Sequence, residues 1–233
     1  MVDAADRAAS GIRALIVAGE YVPGDRLPSE RELSIELGLS RPALREGIGR
    51  LRSGGVLESR RGSGTYVAEV DLGGVYDIRA RLEPFAAERA AGRRTDDEMA
   101  ELNAALQRMR DTVADDPTGF DLADARFHSL VAIASGSTVL TELLDRLGEL
   151  ALLTRTAISS SSELRQASYA DVERVCLAIE RQDPQRAGRA MERHILHVRE
   201  LYTAITEEMP ARKPRSARGS GGNGRYATRR SLT

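Results

Sequence analysis

Apolar residues in this chain recur at every third or fourth position over long stretches and alternate in only one short region. The first such stretch, 4–18, carries Ile12, Leu15 and Ile16 on one stripe and stops at Gly19, before a Pro23-Gly24-Asp25 turn. A second helix opens at Ser29, whose hydroxyl can cap it, with Glu32 three residues on as the capping-box partner. Leu33 and Leu37 are its core contacts, and Gly38 ends it. A third begins after three residues. Ser40 caps it, Pro42 suits its first turn, Leu44, Ile48 and Leu51 form its buried row, and Gly54-Gly55 breaks it. Val56–Ser59 and Thr65–Val67 are β-prone and flank Arg60-Arg61-Gly62-Ser63-Gly64, which predicts a hairpin. From Leu72 onward no strand pattern appears. Helices are predicted at roughly 75–92, 96–114, 118–135, 138–157, 163–182 and 184–208. The last has the cleanest stripe: Ala187, Ala190, Met191, His194, Val198, Leu201 and Ile205.

The expected fold is therefore mainly α. A winged helix-turn-helix with a small β-hairpin wing spans 4–70, and an antiparallel all-α helical bundle spans 72–208. The stretch 209–233 is too polar and glycine-rich to build a core and is expected to be a disordered basic tail. No internal repeat is evident. Hydrophobic residues make up 41% and charged residues 30% of the 233 positions, which suits a soluble protein with a core filled by aliphatic side chains, since aromatics are only 4%. No run reaches the length of a membrane span, and the N-terminus lacks the apolar segment of a secretory signal. The single cysteine, Cys176, lies on an apolar helical stripe. It reads as a core residue in a reducing, cytoplasmic setting rather than as a catalytic thiol.

A total charge of −1 conceals an uneven distribution. Residues 71–208 carry a net −8, residues 209–233 a net +7, and residues 40–61 a net +4 within an otherwise balanced first 70. A local basic cluster on a neutral unit is the electrostatic footprint of a DNA-contacting face. In a helix-turn-helix the N-terminal residues of the second helix face base edges, and here these are Ser40, Arg41 and Arg45. Arginine offers two parallel donors that match N7 and O6 of guanine, and the four-residue spacing puts Arg41 and Arg45 on one helix face. Arg31 can reach the same edge or a phosphate. The hairpin tip supplies Arg60 and Arg61 for phosphate or minor-groove contact, with Gly62 for the tight turn.

The stretch GDRLPSERELSIELGLSRPALREGIGRLRSGGVLESRRGSGTYVAE resembles the DNA-binding domain of the GntR family of bacterial regulators. The match runs through Gly24, Leu27 to Arg31, Leu33, Ser40-Arg41, Arg45-Glu46, Leu51, Gly55 and Gly62 to Val67. The remainder resembles the all-helical FCD-type effector domain of the FadR-like subfamily, on RARLEP at 79–84, DARFH at 124–128 and AMERH at 190–194. Together the two likenesses cover about residues 8–205. They imply Arg31, Arg41 and Arg45 as base or phosphate contacts, Ser40 as a phosphate contact at the helix start, and Gly62 at the wing tip. They also imply a homodimer reading a short palindrome in double-stranded DNA.

Asp124 and His128 stand one helical turn apart, and His194 lies on the inward stripe of the last helix. From spacing alone, each histidine is either a hydrogen-bonded core residue or a ligand. The resemblance implies a divalent metal (zinc, nickel or manganese) held by one Asp and three His, which in turn binds a carboxylate effector. Asp124, His128 and His194 match three of those positions. Val172 falls at the fourth and cannot ligate, which leaves either a three-ligand site completed by water or no metal. Arg79 matches the position where relatives offer a guanidinium to the effector, and it also has a salt-bridge partner in reach, Glu83.

Three functions fit these residues. One is a ligand-responsive transcription regulator, read as a repressor. The second is a hydrolytic metalloenzyme at Asp124, His128 and His194, which lacks an evident general base and leaves the winged helix unexplained. The third is an architectural DNA-binding protein, which leaves the acidic helical part without a role. The first accounts for the whole chain, and the protein is not expected to be an enzyme.

Overall fold

The computed structural model describes residues 3–159 and 161–208. Its first part contains α1 (Ala4–Val17), α2 (Glu30–Glu36) and α3 (Arg41–Ser53), followed by β1 (Leu57–Arg60) and β2 (Gly64–Val67). The second part is helical throughout among the described residues. It comprises α4 (Leu72–Arg93), α5 (Asp96–Thr112), α6 (Pro117–Ala134), α7 (Thr138–Ile158), α8 (Ser162–Glu180) and α9 (Pro184–Glu208). The expected tail at 209–233 lies outside the described residues.

The local rules act where the sequence places them. Ser29 accepts from the Glu32 N–H and Glu32 bonds back to the Ser29 N–H, closing the capping box that starts α2. Ser40 accepts from the Ala43 N–H at the start of α3, with Pro42 in its first turn. β1 and β2 pair antiparallel with Leu57 opposite Val67 and Arg60 opposite Gly64. Gly62 at the tip has φ +72°, a backbone region that side chains with a Cβ rarely adopt. One strand-like contact escapes the sequence reading. Leu27 N–H donates to the Thr65 carbonyl and Val67 N–H to that of Asp25, so the segment read as a plain turn adds a third edge to the wing.

Two apolar cores result. Ile12, Ile16, Leu33, Leu44, Leu51, Leu57 and Val67 close the smaller one. The larger one gathers Ala87, Ala90, Leu102, Met109, Phe127, Val131, Cys176, Ile179, Met191 and Ile195 from five of the long helices. Cys176 is buried, as its stripe predicts, and burial pushes its thiol up to about 12, so it stays protonated. α7 serves both cores: Leu140 and Leu144 pack into the larger, Leu153 into the smaller.

Candidate DNA-reading face and effector cavity

α3 buries Ala43, Leu44, Gly47, Ile48 and Leu51 against α1 and leaves Arg41 and Arg45 outside, because its apolar row occupies one side only. Arg31 on α2 and Arg61 at the wing tip are exposed as well. Among the described residues, Arg31, Arg41 and Arg61 have no ion-pair partner. The other two arginines are held. Arg45 lays its Nε against both Glu30 oxygens, at 3.3 and 3.2 Å, and its Nη2 against Oε2 at 2.8 Å. The Arg45 hydrogen bond is the main reason the Glu30 carboxyl sits below its ordinary range. Arg60 pairs with Glu58 at 2.7 Å and Glu69 at 3.3 Å, and lies 4.3 Å over the Tyr66 ring. Of the two wing arginines, Arg61 is the one presented to a neighbour without first breaking a pair. The Ser40 hydroxyl, expected at a phosphate, is engaged in capping α3.

In the helical part, α4, α6, α8, α9 and the residue after α7 surround a cavity whose empty volume, its mouth included, is about 410 Å³. α6 supplies Asp121, Asp124 and His128, spaced three and four residues apart and hence on one face. Arg79 comes from α4, Arg165 and Ser168 from α8, and His194 from α9. The expected trio thus meets despite the long stretch of sequence between its members. Nε2 of His128 lies 3.2 Å from Nε2 of His194 and 3.6 Å from Oδ1 of Asp124. Four ligands at about 2.1 Å around zinc stand about 3.4 Å from one another, so these separations suit a tetrahedral ion.

The surroundings sharpen the fit. Glu83 on α4 accepts from Nδ1 of His128 at 2.5 Å and from Nε of Arg79 at 2.5 Å, all three groups being buried. A carboxylate behind a histidine fixes the ring so that its other nitrogen faces the site. Burial opposes charge on Glu83, but the Arg79 and His128 charges outweigh it and hold the carboxyl well below the usual range. Burial also opposes charge on His128, and the Glu83 and Asp124 carboxylates reverse that, raising its pKa. His194 is pushed down to about 4 by burial and by the neighbouring His128 charge. These opposite shifts favour the proton on His128 rather than on His194. The Nδ1 of His194 is left buried with no hydrogen-bond partner among the described residues. The two Nε2 atoms and the Asp124 carboxylate are the converging ligating atoms, and Nδ1 of His194 lacks the acceptor that orients a ligating histidine.

Val172 departs from expectation. It is fully buried in the apolar core and does not line the cavity. α8 presents Arg165 and Ser168 to the cavity, and Val172, one turn further on, is covered by core side chains. Arg79 lines the cavity and is paired with Glu83. Sequence reasoning missed Glu83 as the support of His128 and Asp121 as a lining residue. The Asp121-Asp124-His128 spacing carried that second signal, whereas nothing local to Ser159 or Arg165 marks them.

A family model described as bacterial regulatory proteins, gntR family, matches residues 4–67, and the FCD domain model matches residues 74–197. The HTH-type transcriptional regulator LutR of Bacillus subtilis is 29% identical over 217 residues, covering 83% of this chain and 99% of LutR. The Uxu operon transcriptional regulator of Escherichia coli is 29% identical, covering 81% of this chain and 82% of its own. Among solved structures, E. coli McbR/YncC superposes with a TM-score of 0.73 at 21% identity, over 88% of this chain and 99% of that one, a likeness of fold. These relatives are named as transcription regulators, not as enzymes.

Proposed function

Because the chain belongs to the GntR family of bacterial regulatory proteins and carries an FCD domain behind its DNA-binding head, we propose that it is a homodimeric, cytoplasmic repressor that reads a short palindromic operator and is controlled by a small carboxylate. In this reading residues 4–70 are the DNA-binding unit and 72–208 the effector-binding and dimerisation unit, while the basic stretch 209–233 adds attraction to DNA. Arg31, Arg41 and Arg45 contact bases or phosphates, with Ser40 at the start of the reading helix and Arg60, Arg61 and Gly62 on the wing. A two-fold dimer pairs naturally with a two-fold operator.

One observation carries the effector half of the proposal. Asp124, His128 and His194 converge in a buried polar cavity within the same chain as the exposed arginines of α3. Their donor set suits zinc, nickel or manganese, with a three-ligand protein set that would leave the ion's remaining positions to water and to the effector. When bound, the ion supplies concentrated positive charge to an incoming carboxylate. Asp124 and the two imidazoles hold it, Glu83 orients His128, and Arg79 offers the effector its remaining N–H groups. Effector binding changes DNA affinity only to the extent that it favours one arrangement of the heads over another.

The test is selection of bound duplex from a random pool by the full chain, repeated with a panel of small carboxylic acids. The expected result is enrichment of a two-fold symmetric site and loss of binding with a subset of the acids. A pool that stays random, or binding indifferent to every acid, contradicts the proposal.

A further inference from the structure

α7 touches both working parts of the molecule with different stretches of one helix. Its residues 146, 149, 150 and 153 recur at helical spacing and face the DNA-binding head. Arg146 donates to the carbonyl of Ser53, the last residue of the reading helix α3. Glu149 pairs with Arg13 on α1. The end of α3 comes so near that a Cβ built at Gly54 would lie 2.7 Å from a Glu149 carboxylate oxygen, and one at Gly55 would lie 3.3 Å from Leu150. Leu153 is buried in the core of the head.

Immediately after α7, Ser159 is buried in the cavity wall. Its hydroxyl donates to Asp121, and its carbonyl accepts from Nη1 of Arg165 at 2.6 Å. Leu153 and Ser159 are six residues apart, or about 9 Å along a helix. No intervening element separates the cavity from the grip on the head.

We infer that α7 is the lever that joins the cavity to the DNA-reading helix, with Ser159 as its cavity end and Arg146, Glu149 and Leu153 as its grip. The inference rests on the cavity being an effector site. A ligand that enters between Asp121, Ser159 and Arg165 has to repack those groups, and Ser159 cannot shift without the end of α7. A small shift of a packed helix moves what is docked on it, because packed interfaces switch between discrete arrangements. Here the docked groups are the last carbonyl of α3 and the side of α1. Each subunit's reading helix thus changes its pose, and with it the fit of a dimer to two half-sites.

The test needs no identified effector. DNA affinity of the full chain is measured on the duplex that the wild type enriches from a random pool. The variants are Ser159→Val, Arg146→Gln/Glu149→Gln and their combination. Ser159 and Glu149 lie ten residues, about 15 Å, apart on the helix, so uncoupled effects multiply to within about twofold. The lever predicts that Ser159→Val shifts affinity at least about fivefold in the wild-type background and less than twofold once the grip is removed. Asp121→Ala removes the acceptor of the same bond and replaces Ser159→Val if that variant does not fold. Equal shifts in both backgrounds, or no shift from either cavity variant, overturn the lever. A wild-type chain that enriches no duplex overturns DNA reading itself, and the lever with it, which is a distinguishable failure.

Discussion

Gly47 sits in the middle of α3 where that helix crosses α1. A Cβ placed there would lie 2.7 Å from the Ala8 side chain and 2.9 Å from both the Ala5 carbonyl and the Ala9 nitrogen. Two of those three atoms are backbone and cannot swing aside. Gly47→Ala is therefore expected to cost about 1–3 kcal/mol in a denaturant melt, against the usual gain from putting alanine into a helix. Asp171 is another residue whose value lies in its contacts. It is buried, pairs with Arg174, and lies 2.9 Å from Nδ1 of His197. Burial would raise its pKa, but these partners hold it below the ordinary carboxylate value. A depressed carboxylate stabilises the fold above its unfolded pKa, and that contribution fades as pH falls through the lower folded value. Asp171→Asn should thus lose about 1–2 kcal/mol at pH 7, with wild type and variant converging in melts below about pH 4. The cavity trio makes a third expectation. Zinc at a hundred times its dissociation constant should raise the wild-type melting midpoint by roughly 5–10 °C. Asp124→Ala should abolish the rise, and an equal rise in that variant would place the ion elsewhere.

At the scale of elements, legibility followed the strength of the local signal. α9 spans Pro184–Glu208, matching its stripe, because a proline start and an uninterrupted apolar row leave little freedom. The predicted 96–114 helix ends earlier, at Thr112, and the predicted 75–92 helix begins earlier, at Leu72, where Asp71 caps it by accepting from the Gly74 N–H. Gly73 and Gly74 follow that cap, and two glycines give the first turn of α4 little helical signal of its own. Pro84 lies inside α4, where its missing N–H leaves one helical rung unmade, yet the helix continues through it. Burial of Ala86, Ala87, Ala90 and Ala91 beyond it holds that second half in place. The 25–27 edge of the wing was not legible, since its pairing partner β2 is some forty residues away. Gly148 offers a test at this scale. It lies within α7, and a Cβ there meets nothing within 4 Å among the described residues. Gly148→Ala should stabilise the chain by up to about 1 kcal/mol by chemical denaturation. A loss would mean that α7 must bend at that point.

For the molecule as a whole, the division into an arginine-bearing head and a helical body was visible in the change of period near residue 70 and in the basic cluster at 40–61. The convergence of Asp124, His128 and His194 was not visible in spacing. Resemblance brought them together, and the fold places them around one cavity. The support from Glu83, the lining by Arg165 and the docking of α7 on the head depend on how helices distant in sequence cross, which no local pattern encodes. Sequence-specific DNA reading by α3 is the property on which the proposed function depends. The most direct measurement compares affinity for the selected duplex with that for a scrambled duplex of equal length, at fixed salt, for the wild type and for Arg45→Ala. The wild type is expected to prefer its own site by about a thousandfold or more. Arg45→Ala should reduce that preference roughly 5- to 150-fold while leaving binding to the scrambled duplex nearly unchanged. A wild-type preference near one, or an Arg45→Ala chain that discriminates as well as the wild type, would contradict the assignment of the reading helix.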